Sequence, residues 1–141
     1  EEGAGIVVTG SQADMEMAAA ICDGLQSAPR SLAGRLSLKT LAAVLRSADL
    51  MITVDSGPMH IAAALGTPVV ALFGPTDPLR TGPYGPGHRV IRKDLSCMPC
   101  FRKRCETKRC MKEIGVDEVL MHVRELLSPA GNPKGAIHGN T

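Results

Sequence analysis

Four residues near the middle of the chain have the types and spacing for chemistry: Asp55, Ser56, Gly57 and His60 in "VDSGPMHIAAALG". An acid, a hydroxyl and a residue without Cβ stand where an apolar run gives way to a helical pattern, and an imidazole follows one turn later. The first N–H groups of a helix have no partner inside it and carry partial positive charge, so a helix start attracts anions. Gly57 lets a ligand approach the main chain, Ser56 caps the helix or bonds a ligand oxygen, and His60 donates to an anion. The set suits a phosphorylated ligand. Asp55 would repel a bare diphosphate, so its place requires ligand hydroxyls that donate to it or a cation that offsets it. Ordinary capping chemistry before a proline explains the same residues, with Gly57 as a turn and His60 as a structural histidine. Spacing alone leaves both readings open. A second loop, "GPTDP" at residues 74–78, also follows an apolar run, and two such loops converging on one crevice favour the ligand site.

The elements that must position these residues are legible as alternating strands and helices. "GIVVT" at 5–9 is a β-branched run ended by Gly10, and residues 12–25 carry Met15, Ala18, Ala19, Ile21 and Cys22 at helical spacing, with Cys22 expected in the core. Residues 38–46 repeat the helical pattern with Ser37 as N-cap. "LMITV" at 50–54 and "PVVALF" at 68–73 predict buried strands, and "PMHIAAAL" between them predicts a helix with Pro58 in its first turn and Gly66 past its end. After Gly74 come a Pro/Gly-rich loop, an edge strand "RVIR", an irregular basic segment at 97–110 and a helix at 116–127. That helix has an apolar face of Val119, Leu120, Val123, Leu126 and Leu127. Apolar strands without alternation, separated by short helices, indicate a parallel sheet covered on both faces: α/β, of the doubly wound kind. In such sheets ligands sit beyond the carboxyl ends of the strands, where Asp55 and residues 74–78 fall.

Composition narrows the function classes. The chain has 141 residues, 44% of them apolar, enough for one domain with a core. A net charge of +2 gives no global argument for nucleic acid, and 2% aromatics with no Trp excludes a base-stacking platform. No stretch approaches the roughly 18 to 20 apolar residues of a spanning helix, and the opening "EEGAGIVVTG" is acidic where a signal peptide is basic, so a soluble, cytoplasmic protein is expected. The abrupt start and a polar, Gly/Pro-rich tail at 129–141 make the chain look like a piece of something longer, with that tail flexible. Cys97, Cys100, Cys105 and Cys110 follow C-x2-C-x4-C-x4-C. Structural metal, a disulfide and reduced packing thiols all remain open. Zinc sites usually show two tight pairs and a cytosolic setting disfavours disulfides, so the site is read without a metal. Arg102, Lys103, Arg104, Lys108, Arg109 and Lys112 crowd the same segment against one acid, Glu106.

The stretch "LSLKTLAAVLRSADLMITVDSGPMHIAAALGTPVVALFGPTDP", with its D-S/T-G-x-x-H turn followed by "ALG-P-V-ALFGPT", closely resembles the C-terminal nucleotide-binding domain of the lipopolysaccharide heptosyltransferases. These are family-9 glycosyltransferases of the GT-B type. The resemblance runs from about Gly5 to Leu127. It implies a Rossmann-like doubly wound sheet, with residues 1–128 as a partial donor-binding domain and the N-terminal acceptor domain absent. It implies transfer of heptose from ADP-heptose to the lipopolysaccharide inner core, with inversion and with neither metal nor cofactor. By position, Asp55, Ser56, Gly57 and His60 match the turn that holds the diphosphate and sugar, Glu16 the acid that binds the ribose hydroxyls, and Leu36 to Leu38 the loop against the adenine. A carboxylate suits a diol, since it accepts from both hydroxyls, although Glu16 alone reads as a solvated helix residue. No catalytic residue is expected here, because the family's base, an Asp, belongs to the N-terminal domain. The first strand of the C-terminal domain and the Lys/Thr loop after it are also expected to be missing, leaving a sheet edge open to dimerisation or aggregation. Implied partners are ADP-heptose and the lipopolysaccharide core, with a peripheral location at the cytoplasmic face of the inner membrane. There the basic segment would meet anionic phosphates, or serve only as a solvated loop. The competing readings are the same fold acting on another sugar and a non-catalytic nucleotide-binding Rossmann-like module.

Overall fold

A computed structural model describes residues 4–25 and 29–128; the expected tail at 129–141 lies outside them. The chain divides into two compact units, Glu1–Leu41 and Ala42–Thr141.

In the first unit, β1 (Val7–Val8) pairs in parallel with β2 (Arg30–Ser31), Val7 opposite Arg30. Flanking bonds extend the ladder: the N–H groups of Arg30, Leu32 and Gly34 donate to the carbonyls of Ile6, Val8 and Gly10. The helix expected from residue 12 opens as a 3-10 turn, Gln12–Asp14, and becomes α1 at Met15–Asp23. The Asp14 carboxylate accepts both the N–H and the hydroxyl of Ser11, at 2.8 and 2.6 Å. These bonds tighten the first turn and hold the Asp14 carboxyl below its usual range. Ala18 is the buried residue of α1, and Cys22, expected in the core, is half-buried. Two strands of two residues offer little surface for a helix to cover. Gly34 sits at φ +70, a backbone conformation that favours glycine, and a Cβ there would also press on the Met15 side chain.

The second unit is built on the apolar runs. α2 (Leu38–Ser47) begins in the first unit, with the Thr40 N–H donating to Ser37 Oγ as the N-cap reading expects. Then follow β3 (Met51–Val54), α3 (Gly57–Ala64), β4 (Val69–Phe73), α4 (Pro78–Thr81), β5 (Arg89–Arg92), α5 (Arg109–Lys112) and α6 (Val116–Leu127). The sheet order is β3-β4-β5, all parallel, with Ile52 opposite Val70 and Leu72 opposite Ile91. Val70, Ile91 and Leu126 form a buried cluster supported by Leu72, Val119 and Val123, which places α6 on that face. On the opposite face Val69, Ala71 and Phe73 are fully buried. α3, which packs on β3 and β4 and buries Met59, Ala62 and Ala63, supplies the cover there. Gly66 at φ +73 ends α3 as expected, and the buried Thr67 hydroxyl then donates to the Leu45 carbonyl at 2.7 Å.

β3 departs from expectation. Its apolar run predicts burial on both faces, yet Ile52 and Val54 are 52% and 49% exposed. They share a face with Val70, but β3 lies at the end of the sheet and the α6 cluster sits over β4 and β5. Among the described residues no helix is long and apolar enough to cross a membrane.

α6 is also tied to β5 and the residue after it by charge. Lys93 Nζ donates to Glu118 Oε2 at 2.6 Å, and Arg89 Nε and His122 Nδ1 lie 3.2 Å from Glu125 Oε2. The Lys93 bond holds the Glu118 carboxyl below its ordinary 4.5, and His122 then Arg89 do the same for Glu125. A depressed carboxyl pKa means the unfolded chain binds more protons below 4.5, so this stabilisation is complete above that pH and drains as pH falls through the folded-state values. His88 acts in the same direction at a higher pH, because burial pushes its pKa below 6.5 and the unfolded chain takes up the proton first. Thermal unfolding scans across about pH 3 to 7 should therefore show stability falling from below 6.5 and more steeply below 4.5. Lys93→Met should flatten the lower limb without moving the upper one.

Candidate functional site

The parallel register puts the carboxyl ends of β3 and β4 at the same edge of the sheet, so the turns that follow them lie side by side. Asp55 and Ser56 leave β3, and Gly57 opens α3 with Pro58 behind it. Ser56 occupies the N-cap position in an extended conformation, yet its side chain makes no cap bond; its hydroxyl instead shares a 3.2 Å hydrogen bond with Thr53 Oγ1. Among the described residues, then, no N-cap side chain bonds the N-terminus of α3. Gly57 is exposed, its φ is ordinary, and a Cβ there would meet nothing within 4 Å. Among the described residues neither packing nor backbone strain demands a glycine at this position, and the space beside it is open. His60 lies exposed one turn into α3 and, among the described residues, its imidazole makes no hydrogen bond.

The second loop converges on the first. The Thr81 hydroxyl, at the end of α4, donates to Asp55 Oδ2 at 2.9 Å across 26 residues of sequence. Asp77 starts α4 by accepting the Leu79 N–H at 3.1 Å, and the Asp77 carbonyl receives the Arg80 and Thr81 N–H groups. Gly82 ends α4 so tightly that a Cβ would clash with the Pro78 carbonyl oxygen. Gly74 is buried under α5, where a Cβ would meet Met111 Sδ at 2.9 Å. Thr76 Oγ1 is buried without a partner among the described residues. A buried hydroxyl left unpaired costs about 1–3 kcal/mol, a deficit that a ligand oxygen or phosphate would relieve. The sequence marks the 74–78 loop, Thr76 included, without distinguishing the Thr76 hydroxyl, and does not mark Thr81. Their hydroxyls carry no pattern of their own, and only the folded contact with Asp55 marks Thr81.

Glu16, Leu36 and Leu38 belong to the first unit. Glu16 is exposed in the first turn of α1, Leu36 is half-buried in the turn after β2, and Leu38 is exposed at the first position of α2. β1 and β2 are parallel and the Gly34 N–H bonds to the Gly10 carbonyl, so the turn before α1 and the turn after β2 meet at the carboxyl end of that strand pair. Glu16 and Leu36 thus share one end of their unit. The four cysteines at 97–110 are free, and no group of three or more His, Cys, Asp or Glu among the described residues is arranged to hold a metal ion. Cys105, exposed, has its thiol pKa lowered chiefly by the Thr107 hydroxyl at 3.5 Å and then by the Lys108 N–H.

A turn with an unsatisfied helix start, tied to a second loop beyond a parallel sheet, is common to several nucleotide-binding folds, so comparison with known proteins decides between them. Residues 1–111 match the profile of glycosyltransferase family 9 (heptosyltransferase). The chain belongs to that family. It is 37% identical over 103 residues to lipooligosaccharide heptosyltransferase 2 of Campylobacter jejuni, covering 71% of this chain and 33% of that one. It is 43% identical over 96 residues to lipopolysaccharide heptosyltransferase 1 of Pseudomonas aeruginosa, covering 68% and 26%. The structure of the Escherichia coli ADP-heptose lps heptosyltransferase II superposes with a TM-score of 0.75 at 32% identity, covering 89% of this chain and 37% of that one. The α/β architecture with parallel sheets is that of these family-9 glycosyltransferases, of GT-B type. The chain spans about a third of the length of the curated relatives it matches.

Proposed function

We propose that residues 1–128 form the donor-binding part of a family-9 glycosyltransferase that moves heptose from ADP-heptose to the lipopolysaccharide inner core at the cytoplasmic face of the inner membrane. The observation that carries this reading is the uncapped start of α3 at Gly57, linked through Asp55 and Thr81 to the second loop. Main-chain N–H near Gly57 faces the diphosphate, His60 donates to the same charge, and Asp55 accepts from a hydroxyl of the donor sugar through the carboxylate oxygen that Thr81 does not take. Glu16 accepts from the ribose hydroxyls and Leu36 and Leu38 pack against the adenine.

The reaction is a direct displacement. An acceptor hydroxyl, deprotonated by a base from outside these residues, attacks the anomeric carbon opposite the leaving group. The new carbon–oxygen bond forms as the bond to phosphate breaks, ADP departs with the electron pair, and configuration inverts. Charge grows on the ADP oxygens as that bond breaks, so helix N–H groups and His60 aimed at them stabilise the transition state more than the ground state. In this reading the dipoles of the protein do that work and no metal is required.

Calorimetry on the full-length protein with ADP, and then with ADP-heptose, tests the proposal. Glu16→Ala and Asp55→Ala should each weaken binding about tenfold, the scale of one hydrogen bond to a charged group, with Asp55→Ala acting mainly on ADP-heptose and Glu16→Ala on both ligands. Wild-type affinity in both variants would point instead to a nucleotide-binding module that grips its ligand elsewhere.

A further inference from the structure

We infer that the surface formed by α4 and residues 101–104 is a membrane-docking face, fitted to an anionic lipid bilayer. This rests on the membrane location proposed above, and not on how the donor is held. Leu79 and Tyr84 are 94% and 91% exposed, and Phe101 is 50% exposed. Arg80 lies over the Phe101 ring at 5.8 Å, which brings α4 and the basic segment onto one surface. Tyr84, three residues past the end of α4, is tethered within about 11 Å of it. Directly after Phe101 come Arg102, Lys103 and Arg104, all exposed and, among the described residues, with no carboxylate in ion-pair range.

The segment is anchored firmly for a loop. The N–H groups of Cys100 and Phe101 both donate to the Pro75 carbonyl, at 3.1 and 2.9 Å, and Phe101 holds a left-handed φ of 53. Such a backbone costs a bulky residue free energy and persists only where contacts impose it. The contact that imposes it is the second crevice loop, so the apolar and cationic side chains are displayed from the rim of the candidate site itself.

A nucleic acid or polyanion would use the cations and leave Leu79 and Tyr84 in water. An anionic bilayer uses both, taking apolar side chains into the acyl boundary while its headgroups meet Arg and Lys. With that face on the membrane, the mouth of the crevice opens beside the lipid surface, where a lipid-anchored acceptor is presented.

Sedimentation of the full-length protein with vesicles tests this. Binding is expected with phosphatidylglycerol-containing vesicles, weakening as salt rises from about 50 to 200 mM, and not with pure phosphatidylcholine. Combined Arg102→Gln, Lys103→Gln and Arg104→Gln should weaken it about 100-fold, roughly fivefold per cation. Combined Leu79→Ser and Tyr84→Ser should weaken vesicle binding about tenfold while leaving binding to heparin, a polyanion without an apolar phase, unchanged. All these side chains are exposed and outside the donor contacts, so ADP affinity should hold in every variant. The inference is overturned by equal binding to both vesicle types, by no vesicle binding at all, or by vesicle binding that Leu79→Ser with Tyr84→Ser does not alter. Loss of ADP binding in wild type would instead sink the donor reading.

Discussion

Substituting Gly57 by leucine should not lower the thermal unfolding midpoint of the protein and, with the proposed donor site, should weaken ADP binding by about 100-fold. The first half follows from open space around the Gly57 Cα, an ordinary φ, and a first-turn helical position where leucine is a better helix former than glycine. The second half follows from the proposed grip on the diphosphate, because a side chain there stands where phosphate oxygens approach the main-chain N–H. A fold-only role for this glycine predicts the reverse pattern, with little change in affinity. Differential scanning calorimetry and isothermal titration on the same sample separate the two. If affinity survives the substitution, the nucleotide is not held at the start of α3.

Phe73→Ala should have the largest effect on stability, about 3–5 kcal/mol. The ring is fully buried at the end of the central strand, and its removal leaves a cavity that β-ladder bonds on both sides prevent from collapsing. Native domains are stable by about 5–15 kcal/mol, so the loss is a large part of the total. Urea unfolding should show a lowered midpoint with an unchanged slope. Leu79→Ala, at a side chain that touches almost nothing, should fall within about 0.5 kcal/mol of wild type. A small effect at Phe73 would mean that the β4 core is looser than its burial indicates.

The elements nearest the site were the most legible, and the reason is local. "PVVALF" is buried on both faces and its residues say so, and Pro58 and Gly66 mark the ends of α3 through backbone rules that tertiary context rarely overrides. β3 misleads because an apolar run reports the burial its residues would accept, whereas their actual exposure depends on where the strand falls in the sheet. β2 was invisible, since Arg30 and Ser31 have no strand propensity and pair only because β1 lies beside them. α5, a single turn of Arg109, Cys110, Met111 and Lys112, hid inside a basic segment with no periodicity, and its packing over Gly74 appears only in three dimensions. Of the site, the turn at 55–60 was readable as chemistry, while the division of the chain near Leu41 falls within α2 and leaves no compositional trace.

The bond between Thr81 and Asp55 has a thermodynamic consequence. It fastens one turn to the other through the protein's own side chains, so association at the proposed site need not pay the ordering entropy of two free loops. Thr81→Val should accordingly make the entropy of nucleotide-sugar association more unfavourable even where its enthalpy is kept.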